Sequence, residues 1–241
     1  HKMGEEAVVD LRAFSLEGAG RKRLRAALAR AGREGLGFAI AEPPHAPDLL
    51  AELRAVSDAW LAARKTREKG FSVGRFDPAW LDRWALALVR REGRVIAFAN
   101  ILAAPRGGIA AIDLMRHCPD APGVTMEFLF TALIEALKAR GVPAFSLGMA
   151  PLAGLDPRRS RRSWDRFGAL IFRHGGSFYR FEGLRAFKQK FDPLWRPRYL
   201  ATPTALPPLL PLADAARLIA RLPGTGPCPA PPEEAAPGTG G

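Results

Sequence analysis

The chain has 241 residues, of which 48% are hydrophobic and 25% are charged, values that are ordinary for a soluble globular protein. No apolar stretch approaches the ~18 uncharged residues of a membrane-spanning helix, and the N-terminus lacks the hydrophobic region of a signal peptide. The two cysteines, one of them in a proline-rich tail, disfavour a disulfide framework and a cysteine-based metal site, and a reducing cytoplasmic setting fits them best.

The net charge of +12 is concentrated in one segment of the chain. Residues 156–198 contain twelve basic and four acidic side chains, an excess of eight positive charges. A local excess of this size favours a polyanionic partner, either a nucleic acid or an anionic membrane surface. A genome rich in GC would explain the preference for arginine, but not this clustering.

The first third of the chain predicts alternating strands and helices. Residues 5–14 alternate as a strand does, and residues 18–37 place apolar side chains on one stripe of a helix. A second strand ends at Pro43, and a second helix covers residues 47–66. Residues 71–84 read as a turn-rich connector.

The middle of the chain predicts a hairpin followed by a strand, a helix and a strand. Two β-rich runs flank a Glu-Gly turn within residues 85–104. A strand over 108–115, a helix over 124–141 and a strand over 143–152 follow. A right-handed connection would place these two strands side by side in a mixed α/β (α+β) fold, with ligands outside their carboxyl ends.

Several ordered motifs between residues 5 and 202 resemble the C-terminal synthase domain of the phosphatidylglycerol lysyltransferase (aminoacyl-phosphatidylglycerol synthase) family. They are GFSVGRFD, VIAFANI, IDLMRHCPDAPGVTMEFLF, FSLGMAPLAGL and FRHGGSFYRFEGLRAFKQKFDPLWRPRYL. The resemblance implies transfer of a lysyl or alanyl group from aminoacyl-tRNA to the glycerol hydroxyl of phosphatidylglycerol. It also implies a GNAT-like acyltransferase fold, in which this chain supplies the second of two tandem units.

The resemblance divides the chain into four parts. Residues 1–17 would end a truncated first GNAT-like unit, and residues 18–69 would be a helical connecting segment. Residues 70–202 would form the GNAT-like synthase unit, and residues 203–241 a mostly disordered tail rich in proline, glycine and alanine. The first strand would then expose a sheet edge and an apolar face, from which we expect self-association. The family's membrane domain lies outside this chain, and the expected location is the inner face of the bacterial plasma membrane.

The acid and the arginine of the IDLMRH motif are the first candidate site residues. Asp113 and Arg116 end an apolar strand, where such residues rarely lie without partners. Either Asp113 binds the aminoacyl ammonium or polarises a hydroxyl while Arg116 holds a phosphate, or the two form a structural ion pair. The family motif favours the first reading. Because residues three apart in a regular strand face opposite ways, the two can converge only if the chain turns at Arg116.

The loop before the long helix lacks the Arg/Gln-x-x-Gly-x-Gly pattern that cradles the coenzyme A pyrophosphate in GNAT acyltransferases. A single glycine, Gly123, follows a proline there, which disfavours coenzyme A, although the helix start could still receive a lipid or tRNA phosphate. Glu127 lies in the first turn, where an acid also complements the helix dipole. We expect no cofactor and no metal.

Aromatic and basic residues interleave between positions 172 and 200, a pattern typical of binding to unpaired RNA ends, although single aromatic residues are more often core. The GLRAFK stretch makes Lys188 a catalytic candidate, beside Asp113 and Arg116, that would stabilise phosphates and the developing oxyanion. The remaining substrate-binding candidates, with Glu127, are Arg185, His174, Met149 and Asn100. Two other functions stay open: a GNAT-type acyltransferase using acyl-coenzyme A, and an inactive fragment that binds RNA or anionic lipid.

Overall fold

The computed structural model describes residues 1–68, 74–103, 108–151, 153–154, 181–203 and 209–220. The strands are β1 Lys2–Asp10, β2 Leu36–Ala41, β3 Ala85–Arg91, β4 Arg94–Ala103, β5 Ala110–Ala111, β6 Met115–His117, β7 Ala144–Pro151 and β8 Leu194–Tyr199. The helices are α1 Lys22–Arg33, α2 Pro47–Ala63, α3 Pro78–Leu81, α4 Thr125–Ala139, α5 Phe181–Gln189 and α6 Leu209–Ala220. None of the helices described is long and apolar enough to cross a bilayer.

One mixed sheet organises the described part of the chain. Its strands follow the order β2-β3-β4-β5-β7-β1-β8, and β6 pairs with β4 beside this path. The neighbours β5 and β7 are parallel and are connected through α4, whereas the other pairs are antiparallel. The predicted hairpin and the predicted strand–helix–strand unit are therefore confirmed.

Both faces of the sheet are covered, which is why its central strands are apolar on both sides. In β3, Leu86 and Leu88 pack with α2, and the intervening Ala87 packs under α4. Small side chains on that second face leave room for the large residues of α4, such as Phe128 and Leu133. These two layers hold the strand ends of the candidate site in place.

The first strand lies inside the sheet, so the expected exposed edge at residues 1–17 was wrong. β1 is hydrogen-bonded to β7 on one side and to β8 on the other. Its Ala7, Val8 and Val9 are buried because both neighbours and the helices cover them. The segment 18–69 also supplies β2 to the same sheet, so it is more than a helical connector.

The strand predicted over residues 108–115 is interrupted, and Asn100 of β4 explains why. Its side-chain oxygen accepts hydrogen bonds from the backbone N–H groups of Asp113 (3.1 Å) and Leu114 (2.7 Å). An amide side chain thus replaces the regular ladder between the short strands β5 and β6. Beyond this interruption the chain pairs with β4, as strand β6, and no longer pairs with β7.

The parallel pairing between β5 and β7 is consequently short. Ala110 is opposite Phe145 and Ala111 is opposite Ser146, and the pairing ends there. β6 continues along β4, whereas β7 continues along β1. We call the divergence beyond Ala111 and Ser146 the split.

Candidate active site

The split brings two predicted site regions to corresponding positions on its two sides. Asp113 follows the last paired residue of β5 by two positions, and Gly148 follows the last paired residue of β7 by two positions. Asp113 is exposed, and Gly148 has a left-handed φ of 80° that favours glycine. Asp113 of the IDLMRH motif and Gly148 of the FSLGM motif therefore occupy corresponding positions where the two strands diverge.

Gly74 of the connector fixes the position of Asp113. Its backbone N–H donates to Asp113 Oδ1 at 3.0 Å. A Cβ atom on Gly74 would lie 2.5 Å from the Asp113 carbonyl oxygen, closer than real side chains approach a backbone. Only glycine therefore allows the connector to pack so tightly against this strand end.

Arg116 does not pair with Asp113, so the predicted alternative of a structural ion pair between these two side chains was wrong. Its guanidinium donates to Glu68 at 3.1 Å and to the Gly74 carbonyl at 3.3 Å, and it stacks 4.2 Å from the Trp60 ring centre. Burial lowers the pKa of Arg116, and the charge of Glu68 opposes that shift. Only 4% of Arg116 is exposed, and Nη1 has no hydrogen-bond partner among the described residues.

Arg116 therefore ties the α2 region to the connector that contacts Asp113. Gly74 contacts both Asp113 and Arg116.

Lys188 of α5 lies on the other side of the split. Its Nζ donates to the Met149 carbonyl at 2.9 Å and would be 3.7 Å from a Cβ atom on Gly148. Burial lowers the pKa of Lys188 to about 8, although the negative charge of Glu6 acts in the opposite direction. Among the described residues no carboxylate is hydrogen-bonded to this amine, which is uncommon for a buried lysine with a purely structural role.

The other predicted substrate-binding residues are differently placed. Asn100 is fully buried, and its side-chain oxygen accepts hydrogen bonds from backbone N–H groups. Glu127 forms an ion pair with Lys190. Arg185 pairs with Glu5 at 2.7 Å and stacks on Trp195. Met149 is 39% exposed, and its carbonyl accepts from Lys188, whereas His174 lies outside the described residues.

The aromatic residues predicted to stack on RNA are mostly core where they are described. Phe191 is fully buried, and Phe187 packs against it and against Phe130. Tyr199 is 67% exposed and Trp195 is half-buried beneath Arg185. The basic stretch before residue 181 lies outside the described residues.

Two polar residues near Lys188 were not predicted from the sequence. Ser146 Oγ donates to Glu6 Oε1 at 2.6 Å and accepts from the Gly148 N–H at 3.1 Å. The sequence did contain a signal for Glu6. The GEEA stretch places two adjacent acids in a strand that is otherwise apolar, and buried carboxylates require partners. The partner residue lies 140 positions away, so the sequence offered no means of identifying it.

An antiparallel hairpin, a helix-connected parallel pair and a split between the parallel strands together define a GNAT-like acyltransferase fold. The family described as phosphatidylglycerol lysyltransferase, C-terminal, matches residues 1–202. The chain belongs to this family, as the sequence motifs predicted.

Three relatives illustrate the match. The phosphatidylglycerol lysyltransferase of Bacillus subtilis (strain 168) is 42% identical over 201 residues, which are 83% of this chain and 23% of that protein. A crystallised C-terminal domain from Agrobacterium fabrum has 44% identity and a TM-score of 0.79, covering 91% of this chain and 66% of that one. L-PGS from Bacillus licheniformis has 38% identity and a TM-score of 0.78, covering 92% of this chain and 67% of that one. The chain spans about a quarter of the length of the curated relatives it matches.

Proposed function

We propose that this chain carries the site at which an aminoacyl group passes from aminoacyl-tRNA to the glycerol hydroxyl of phosphatidylglycerol. The observation that carries the proposal is the pair of polar groups on the two sides of the split, the exposed Asp113 carboxylate and the buried Lys188 amine. The phosphatidylglycerol lysyltransferase relatives supply the substrate class. The proposed transfer site would then lie at the inner face of the plasma membrane, where the lipid and the aminoacyl-tRNA meet.

The reaction exchanges one ester for another. The lipid hydroxyl oxygen attacks the carbonyl carbon of the aminoacyl ester, and the bond from that carbon to the ribose oxygen breaks. The hydroxyl proton ends on the released ribose oxygen. Because the ester is already activated, orientation alone can supply ~7–11 kcal/mol of barrier reduction, and no covalent enzyme intermediate is needed.

Asp113 and Lys188 have complementary roles in this mechanism. Asp113 orients the α-ammonium group of the aminoacyl substrate or the attacking hydroxyl, since it is an exposed carboxylate held by the Gly74 N–H. Lys188, in its charged form, stabilises the oxyanion that develops on the carbonyl oxygen or a neighbouring phosphate. Arg116 is a positioning residue that holds the connector against Asp113.

The test incubates the purified chain with tRNA charged with radiolabelled lysine or alanine and with phosphatidylglycerol micelles. We expect labelled lipid from the parent chain and at least a ~100-fold loss in Asp113→Asn, because an uncharged amide binds an ammonium group poorly. Glu135→Gln, an acid-to-amide change on an exposed position of α4, is the matched control and should retain transfer.

Two outcomes would contradict the proposal. One is full transfer by Asp113→Asn with an unchanged folded circular dichroism spectrum. The other is transfer from an acyl-coenzyme A donor in place of aminoacyl-tRNA, which would favour the GNAT acyltransferase alternative. Self-association was predicted from an exposed first strand, whereas β1 is paired on both sides. Sedimentation velocity at several concentrations tests that prediction separately.

A further inference from the structure

A polar network on β1 lies behind the Lys188 amine. Glu6 is aligned with Met149 of β7, the residue whose carbonyl accepts the Lys188 hydrogen bond. One Glu6 oxygen accepts from Ser146, and the other forms an ion pair with Arg198 of β8. The carboxylate is thus held on both sides next to the backbone that contacts Lys188.

Ser146 connects this carboxylate to the turn at Gly148. Its hydroxyl donates to Glu6 and accepts from the Gly148 N–H, the residue directly before Met149. Ser146 is also the last β7 residue that pairs with β5, so it marks the point where the split begins. The same hydroxyl therefore fixes the carboxylate and the bent backbone at one end of the split.

We propose that Glu6 and Ser146 position the Lys188 ammonium group and preserve its charge for aminoacyl transfer. This inference rests on the proposed function of the split. Glu6 acts through Lys188 and is a positioning residue, not a group that touches the reacting atoms. Its own carboxylate is engaged by Ser146 and Arg198 and is mostly buried.

The charges around Lys188 support this assignment. Burial lowers the pKa of Lys188, and Glu6 is the charged group that acts to raise it. Burial also acts to raise the pKa of Glu6, but the hydrogen bonds from Ser146 and Arg198 hold that pKa below its usual range. Arg196, opposite Glu6 on β8, adds a further positive charge that favours the ionised carboxylate.

Within the part of the chain that the structure describes, the elements packed near Lys188 bring few other charged groups. β7 presents backbone at Gly148 and Met149, and β1 presents Glu6. On α5 itself and just after it, Arg185 is paired with Glu5 and Lys190 with Glu127. Glu6 is therefore the carboxylate of the described residues whose charge acts on the amine.

The test compares Glu6→Gln with Glu5→Gln, which makes the same chemical change at the adjacent residue of β1. Competitive amine labelling across a pH series, read by peptide mass spectrometry, gives the pKa of Lys188 in the parent and in both variants. In Glu6→Gln we expect that pKa to fall by about one unit, because an opposite charge is lost. Glu5→Gln should leave it unchanged.

Transfer provides the second measurement. If charged Lys188 supports transfer, the rate of the parent falls as the pH rises through about 8. In Glu6→Gln the fall should occur about one pH unit lower, so transfer at pH 8 should drop roughly tenfold relative to pH 6, against about twofold in the parent. Glu6→Asp, which keeps the charge, should move the profile back towards that of the parent. Ser146→Ala should shift it in the same direction as Glu6→Gln.

The outcomes separate this inference from the proposed function. Identical Lys188 pKa values and identical pH profiles in the parent and Glu6→Gln, with both proteins folded, would overturn the inference even where Lys188→Met abolishes transfer. A parent chain that transfers nothing would contradict the proposed function. The labelling experiment then still decides whether Glu6 preserves the charge of Lys188.

Discussion

Lys188 carries an amine at a position where only 5% of the residue is exposed. Its described hydrogen bond is to a neutral carbonyl, and its pKa of about 8 reflects the free-energy cost of burying the charge. A residue retained for stability alone would be apolar at such a site. If Lys188 has the predicted catalytic role, its burial should therefore carry a measurable cost in stability.

Lys188→Met should stabilise the chain at pH 7. The folded-state pKa lies below the ordinary lysine value, so the unfolded chain binds more protons between about pH 8 and the ordinary lysine pKa of about 10.4. The cost is full below pH 8 and fades as the pH rises through this window. We expect a gain of about 1–2 kcal/mol at pH 7, after loss of the Met149 hydrogen bond, and a smaller gain at pH 10.

Urea unfolding of the variant and parent at pH 7 and pH 10 measures this difference. Lys65→Met, at an exposed position just after α2, is the control and should change the free energy of unfolding little at either pH. A Lys188→Met chain that is less stable than the parent at pH 7 would show that the amine is a favourable structural contact.

At the scale of elements, β1 connects the elements on the Lys188 side of the split. It lies between β7 and β8, and its Glu5 and Glu6 contact residues of α5, β7 and β8. The edge strand on this side of the sheet is β8. It contains Pro197, and proline is tolerated in edge strands. An interior strand loses more than an edge strand when a backbone N–H is removed.

Val8→Pro and Val8→Ala separate the backbone contribution from the side-chain contribution. Val8 is aligned with both Ser146 and Leu194, so strands lie on both sides of its backbone. We expect Val8→Pro to be less stable than Val8→Ala by about 1–3 kcal/mol, because proline removes a backbone N–H and leaves a buried partner unsatisfied. Equal free energies of unfolding for the two variants would indicate that β1 is an unpaired edge.

At the scale of the whole molecule, the positive charge is the main feature that favours a polyanion such as tRNA. The excess within residues 156–198 predicts counterion release on binding. Part of that excess is internally paired in the described residues, since Arg185, Lys190 and Arg198 each contact a carboxylate. The remaining positive charge of this segment includes a run of arginines before residue 181, outside the described residues.

Binding to tRNA should weaken steeply with salt and depend on that run. Replacing Arg158, Arg159, Arg161 and Arg162 with glutamine should make the slope of log affinity against log salt shallower by up to about 3. The matched control replaces four basic residues of α1, Lys22, Arg23, Arg30 and Arg33, with glutamine. Fluorescence anisotropy with uncharged tRNA between low and moderate salt measures both slopes. Equal slopes in the two quadruple variants would place the tRNA surface elsewhere.

Local patterns in the sequence determined most of the elements. Helical periodicity predicted α1, α2 and α4 to within a few residues, and the Glu-Gly turn predicted the β3–β4 hairpin. These features depend on neighbours within one or two turns, so short-range propensities decide them. The motifs also indicated the family, and they made Asp113 and Lys188 candidate site residues.

Only the tertiary structure decided which charges meet. Arg116 pairs with Glu68 instead of Asp113, and Glu6 reaches Ser146, because α2 and β1 come together with strands far away in the sequence. The split itself depends on Asn100, a side chain of one strand that replaces the ladder of another. Periodicity specifies the face on which a residue lies, but partners separated by 48 to 140 positions are set by how the elements pack, which no local pattern contains.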